Sequence, residues 1–248
     1  MREWISGRNP VYEVLRARRR EVFRLRLAEG IQETGRLGEI IQLSAARKIA
    51  LERVRRIQLD SLGEGHQGVA LEASGYPYCA LPDILELAEI RKEPPFILVL
   101  DTLQDPQNLG TLLRTAEAVG IHGVLLPLRR AATITPAVVH ASSGASEHLL
   151  VVQVNLAQAL SELKSEGVWV IGLEKRLEAQ ALHQARFEGA LAVVVGNEGE
   201  GMRPLVRESC DLLVSLPMRG QVESLNAAVA GSVVLYFAFQ RRMLQSNS

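Results

Sequence analysis

Three short segments of this 248-residue chain gather glycines, amides and charged side chains where chemistry could be done. The first is Asp101-Thr-Leu-Gln-Asp105-Pro106-Gln107-Asn108-Leu109-Gly110, with Arg114 in the helical pattern that follows. The second is Gly196-Asn197-Glu198-Gly199-Glu200-Gly201-Met202. The third is Leu216-Pro217-Met218-Arg219-Gly220-Gln221-Val222-Glu223-Ser224-Leu225-Asn226. Gly196, Gly199 and Gly201 tolerate positive φ and let a ligand approach the backbone closely. Their GxxGxG spacing is neither a P-loop, since no Gly-Lys-Ser/Thr follows, nor a dinucleotide fingerprint. Glu198 can accept amide hydrogen bonds in that loop and repels phosphate, which favours a ligand without phosphate there. Each segment alone also reads as ordinary structure: a tight loop, Asn108 and Ser224 as helix caps, Arg114 as a surface partner of Glu117. The functional reading rests on their coincidence at the strand ends of one sheet, where ligands of open parallel sheets sit.

The elements that must position these segments follow from periodicity. Phe96–Leu100 and Leu191–Val195 are continuous apolar runs, as in strands buried on both faces. Further strands are predicted at 123–126, 149–152, 168–173 and 212–216, with helices at 109–119, 135–141, 156–164 and 225–243. Strand–helix alternation with apolar strands implies an α/β fold on a parallel sheet covered on both faces. Before it, residues 1–75 read as a small α/β module. Its helix starts near Asn9-Pro10, and strands are predicted over 23–27, 49–54 and 69–73. Residues 76–95, with four prolines around a helical pattern at 83–91, read as a linker, and 96–248 as the second domain.

The chain carries 28 Lys+Arg against 28 Asp+Glu, which argues against a protein coated in positive charge. The balance is uneven. Residues 1–75 hold 14 basic and 10 acidic side chains, net +4; the remainder holds 14 and 18, net −4. The densest basic part is Arg16, Arg18, Arg19, Arg20, Arg24 and Arg26, which suits a phosphate-tracking surface or a solvated face. No run of about 18 apolar residues predicts a membrane span. The N-terminal residues lack the apolar core of a signal peptide, so a cytoplasmic protein is expected. Cys79 and Cys210 have no metal or redox spacing, and no histidine pair has ligand spacing, so no metal is expected.

The three segments, in order and spacing, resemble the signature motifs of the SpoU/TrmH ribose 2′-O-methyltransferases of the SPOUT superfamily. Asn108-Leu-Gly110…Arg114 matches the first motif, Gly196-Asn-Glu198-Gly-x-Gly201 the second and Leu216-Pro-Met218…Ser224-Leu-Asn226 the third. Ser142-Ser-Gly-Ala-Ser-Glu147 also looks like a family element. The N-terminal module, including His66-Gln67-Gly68, resembles the L30e-like RNA-binding domain of the RlmB-like 23S rRNA guanosine branch. The resemblance implies a C-terminal trefoil knot in place of the open sheet that periodicity suggests, and a homodimer. It also implies S-adenosyl-L-methionine as cofactor, held around Gly196, Asn197, Gly201, Leu216, Met218, Ser224, Leu225 and Asn226. Arg114, with Asn108, Glu198, Ser224 and Asn226, would serve catalysis. Large-subunit rRNA would meet Arg16, Arg18, Arg19, Arg20, Arg24, Arg26, His66 and Gln67. Other readings are a tRNA ribose methyltransferase, a resistance-type rRNA methyltransferase, or a non-catalytic RNA-binding assembly factor.

Overall fold

The computed structural model describes all residues except Met1, Glu64, Arg130, Ala131, Glu198, Glu223, Asn247 and Ser248. In chain order the elements begin β1 (Arg2–Ser6), α1 (Arg8–Ala17), β2 (Val22–Ala28), α2 (Arg36–Ala46), β3 (Ala50–Val54), α3 (Arg56–Asp60) and β4 (Val69–Ser74). Then come α4 (Leu81–Arg91), β5 (Phe96–Leu100), α5 (Pro106–Ala118), β6 (Gly123–Pro127), α6 (Pro136–Ala141), β7 (Val151–Val154) and α7 (Leu156–Ser165). The last are β8 (Trp169–Leu173), β9 (Gln180–Ala181), β10 (Leu191–Val195), α8 (Pro204–Glu208), β11 (Leu212–Ser215) and α9 (Ala227–Ser246). Two compact units result. One runs to Pro77 and takes in Ile134–His148; the other comprises Tyr78–Thr133 and the chain from Leu149.

The first unit is a four-stranded sheet in the order β1-β4-β2-β3, antiparallel except for β2 and β3. The alternation in β2 works as predicted. Leu25 and Leu27 are fully buried, and Arg24 and Arg26 take the other face. Val11, Val14 and Leu15 of α1 and Leu37 and Ile40 of α2 complete this core. The helix starts earlier than Asn9-Pro10 suggests, after Gly7 at φ +98°. Strand β1 escapes pattern reading because its five residues, Arg-Glu-Trp-Ile-Ser, carry one fully buried apolar side chain, Ile5.

Residues Ile134–His148, expected within the catalytic domain, belong to this first unit. The physical reason is a buried ion pair. Glu147 is fully buried and receives Arg20 Nε and Nη2 on its two carboxylate oxygens, both at 2.8 Å. Arg20 also bonds Glu3 and the Ser74 carbonyl, at 2.9 Å for the latter. The Tyr76 hydroxyl donates to the Ser146 carbonyl at 2.9 Å, and burial pushes that phenol well above its usual range.

The second unit is a seven-stranded sheet, parallel throughout, in the order β7-β6-β5-β10-β8-β11-β9. β5 and β10 are buried along their whole length, as the apolar runs predict, and so is β6. β10 pairs with β5 on one side and β8 on the other, so late chain is inserted between earlier strands. The stretch 76–95 is not a free linker. Leu81 and Ile84 of α4 lie in the same apolar cluster as Ile97, Val99, Leu160 and Val170. Burying an amphipathic helix on the sheet removes more apolar surface from water than leaving it between domains. No helix among the described residues is long and apolar enough to cross a membrane.

Candidate active site

The loop after β5 begins with Asp101, a fully buried carboxylate. Its two oxygens accept from Arg203 Nε at 2.7 Å and Arg203 N at 2.8 Å. The loops after β5 and β10 are thereby stapled together. The pairing is not legible in the sequence, where nothing marks a buried pair 102 residues apart. Asp105 then caps α5, accepting from the amides of Gln107 and Asn108 at 3.2 Å each, with Pro106 opening the helix. The Asp-Pro dipeptide is a cap signature the sequence does offer. Asn108 is therefore not the cap, and its side chain has another use. Its Oδ1 accepts from Asn226 Nδ2 at 3.0 Å.

Asn226 ties that contact to the last helix. Its Oδ1 accepts from Ala228 N at 3.0 Å and Val229 N at 3.2 Å, so Asn226, not Ser224, caps α9. Helices α5 and α9 then pack closely. A Cβ on Gly231 would meet Leu112 Cδ2 at 2.7 Å, and the hydroxyls of Thr115 and Ser232 are 2.9 Å apart. Arg114 sits on the exposed side of α5, one residue before Thr115.

The second loop is closed by backbone. Asn197 N donates to Gly201 O at 3.2 Å and Gly201 N to Asn197 O at 3.1 Å. Asn197 Oδ1 accepts from Gly199 N at 2.7 Å. A side chain on Gly196 would strike the Gly201 carbonyl carbon at 2.5 Å, so this turn demands glycine for its own packing. Glu198 lies outside the described residues.

Between the loops after β8, β10 and β11 lies a cleft of about 270 Å³. Gly196, Asn197, Gly201, Leu216, Met218, Ser224 and Leu225 all line it, as expected of cofactor-binding residues. Asn226 instead faces Asn108. Glu174 and Lys175, after β8, also line the cleft and were not anticipated. Lys175 is the one lysine or arginine among the described lining residues, so no cationic cradle for phosphate surrounds it. Backbone amides and carbonyls beside apolar Leu216, Met218 and Leu225 fit a nucleoside without phosphate. S-adenosylmethionine meets that description.

The arginines expected to meet RNA divide. Arg16 and Arg18 are exposed. Arg20 is buried against Glu147 and is withdrawn from any surface. Arg24 pairs with Glu72 at 2.7 Å and Glu52 at 3.1 Å, and Arg26 with Glu52 at 2.9 Å. These carboxylates hold the Arg24 guanidinium above its usual range. Arg19 donates to the Tyr76 hydroxyl at 3.2 Å and the Pro77 carbonyl at 3.1 Å. His66 is buried, with Nε2 2.8 Å from Asp60 and Nδ1 accepting from Gly68 N at 2.9 Å, so it braces its loop. Gln67 is exposed, and its Oε1 accepts from Arg8 N at 3.0 Å. No group of three potential metal ligands occurs among the described residues. Burial pushes the Cys210 thiol up to about 12, the condition of an inert cysteine.

Residues 95–236 match the SpoU rRNA methylase family. The chain belongs to that family. Residues 4–79 match the RNA 2′-O ribose methyltransferase substrate-binding family. The protein is thus a SpoU-class RNA methyltransferase, and S-adenosylmethionine is the methyl donor of that class. It is 42% identical over 245 residues to YacO of Bacillus subtilis, named for the TrmH family of tRNA/rRNA methyltransferases, covering 97% of this chain and 96% of that one. It is 40% identical over 245 residues to the 23S rRNA (guanosine-2′-O-)-methyltransferase RlmB of Pseudomonas putida, covering 98% of each. The fold resembles that of the SpoU methyltransferase AviRb of Streptomyces viridochromogenes, solved in complex with AdoMet. The TM-score is 0.80 at 21% identity, over 98% of this chain and 91% of the other.

Proposed function

We propose that this protein methylates the ribose 2′-hydroxyl of a guanosine in 23S rRNA, using S-adenosylmethionine bound in the cleft between the loops after β8, β10 and β11. The observation that carries the reading is the convergence of seven sequence-predicted residues on that one phosphate-free cleft. The rRNA guanosine is supported by 40% identity to a relative so named, over nearly the whole of both chains. The Bacillus relative's name spans tRNA and rRNA, which keeps a tRNA ribose as the second reading.

The bound cofactor supplies an electrophilic methyl group. The protein's part is to hold the 2′-hydroxyl in line and to ease loss of its proton. Arg114 is the residue for that task. A guanidinium does not give up its proton at physiological pH, so Arg114 is not a general base. It acts by holding the neighbouring phosphate and stabilising negative charge as it grows on the ribose oxygen, whose proton passes to solvent water. The Asn108–Asn226 bond fixes the start of α5, and with it the turn that presents Arg114. Glu198, Ser224 and Asn226 serve the same site by holding the loops and the ribose.

We place the other copy of a homodimer on the exposed apolar strip Val229, Val233 and Tyr236 of α9, which continues directly from the Asn226 cap. Light scattering should show Val233→Asp as a monomer where the parent protein is a dimer. A deletion strain mapped for 2′-O-methylation in rRNA and tRNA tests the main reading. The expected result is one missing guanosine mark in 23S rRNA. A lost tRNA mark with intact rRNA would replace it with the second reading.

A further inference from the structure

Glu174 follows the last residue of β8 and was not anticipated as a site residue. Its backbone N donates to the Val214 carbonyl at 3.1 Å, which seats it on the neighbouring strand β11. The side chain is 12% exposed and lines the cleft, so its direction is set. One oxygen, Oε2, accepts from Arg176 Nε at 3.1 Å and lies 3.2 Å from Arg207 Nε. Arg207 is itself held by the Met202 carbonyl, which accepts from Nη2 at 3.2 Å. The other oxygen, Oε1, rests against the Cα side of Gly201, where any Cβ would collide with it. Gly201, at φ +69°, thus serves two ends: it closes the second loop and makes room for this carboxylate.

A carboxylate at the end of a parallel strand beside a nucleoside cleft can meet either a cation or a neutral O–H or N–H donor on the ligand. The local charge decides between them. Arg176, Arg207 and Lys175 balance Glu174, Glu178 and Glu200 there, so an ammonium or sulfonium would enter a region with no net negative charge to offer. A neutral hydroxyl needs only an acceptor lone pair, and Oε1 has them. Acidic side chains take ribose hydroxyls by this chemistry in other nucleotide sites on parallel sheets.

We infer that Glu174 is a cofactor-binding residue whose Oε1 accepts a ribose hydroxyl of the cofactor's adenosine. This rests on the cleft being the S-adenosylmethionine site. Calorimetry on the full chain with S-adenosylhomocysteine and its 2′,3′-dideoxyribose counterpart tests it. The parent protein should bind the dideoxy compound about tenfold or more weakly, the size of a hydrogen bond to a charged group. Glu174→Ala should bind S-adenosylhomocysteine about tenfold more weakly and no longer distinguish the two compounds. Glu174→Gln, which keeps the shape and one acceptor, should distinguish them less than the parent does. It gives the same reading if the alanine variant does not fold. Equal binding of the two compounds by the parent, or undiminished discrimination in either variant, overturns the assignment of Glu174 alone. Failure of the parent to bind S-adenosylhomocysteine overturns the reading of the cleft, and this inference with it.

Discussion

The arginine stripe in the first unit and the three loops in the second unit are alike in sequence, as dense polar segments, and behave oppositely in the structure. In the stripe, Arg20, Arg24 and Arg26 are matched by Glu147, Glu3, Glu72 and Glu52, so half of the expected basic surface is internal or neutralised. In the loops, Asn108–Asn226 and Asp101–Arg203 use a few side chains to hold the backbone, and a cleft lies beside them between the loops after β8, β10 and β11. A count of charges along a chain measures neither accessible charge nor available hydrogen-bonding capacity. Both depend on which partners the fold brings up.

The comparison breaks most visibly at Arg20. Arg20→Met strands the fully buried Glu147 carboxylate and should cost about 3–5 kcal/mol in urea unfolding. Replacing Glu147 with Met as well should recover most of that loss, because the pair and a packed apolar substitute are close in free energy. For the same reason a fragment ending at residue 75 is a poor test of RNA binding, since it separates Arg20 from Glu147.

At the other pole, Arg114→Ala should lower single-turnover methylation by about 10²–10³-fold, the scale of one lost donor to a developing oxyanion. Its affinity for S-adenosylhomocysteine should not change. An unaltered methylation rate would remove Arg114 from the mechanism.

His122 in the second unit sharpens the contrast, because there burial disfavours the charged form of a titratable group even with a carboxylate beside it. It is 1% exposed, and its Nδ1 accepts from Phe96 N at 3.0 Å. Burial lowers its pKa, Arg91 and Arg242 add to that, and Glu93, 3.2 Å from Nε2, opposes it. Because the folded value lies below the unfolded one, the unfolded chain binds the extra proton first. Stability should therefore fall as pH drops below the ordinary imidazole value of about 6.5, by at most about 1.4 kcal/mol per pH unit from this group, until the folded imidazole is also protonated. His122→Asn should flatten that slope in melts between about pH 7 and pH 5.

The smallest effects concern RNA. Arg18→Gln, at an exposed arginine, should reduce the salt slope of rRNA-fragment binding by about one. Arg24→Gln, already matched by two carboxylates, should leave it nearly unchanged. Equal losses would mean that the stripe acts as the sequence suggested.

Local pattern carried much of this. Buried strands β5 and β10 coincide with the apolar runs at Phe96–Leu100 and Leu191–Val195, since strands covered on both faces leave no room for polar residues. The cleft residues were legible through the resemblance of three ordered motifs to a known family. The alternative reading of Ser224 and Asn108 as caps does not hold because each has a better-placed neighbour, Asn226 and Asp105, and capping depends on backbone geometry that residue type alone does not set. Element β9, of two residues, and α8, little more than one helical turn, were invisible because neither is long enough to display its own period.

By itself, then, the sequence determined the α/β character and the order of most strands along the chain. These are local properties of periodicity and residue type. Tertiary structure decided what depends on partners distant in the chain. It inserted β10 between β5 and β8, folded Ile134–His148 into the first unit, paired Asp101 with Arg203 and turned Glu174 toward the cleft. It also decided which of the evenly balanced charges remain on the surface, because burial and pairing are set by the three-dimensional neighbourhood and not by position along the chain.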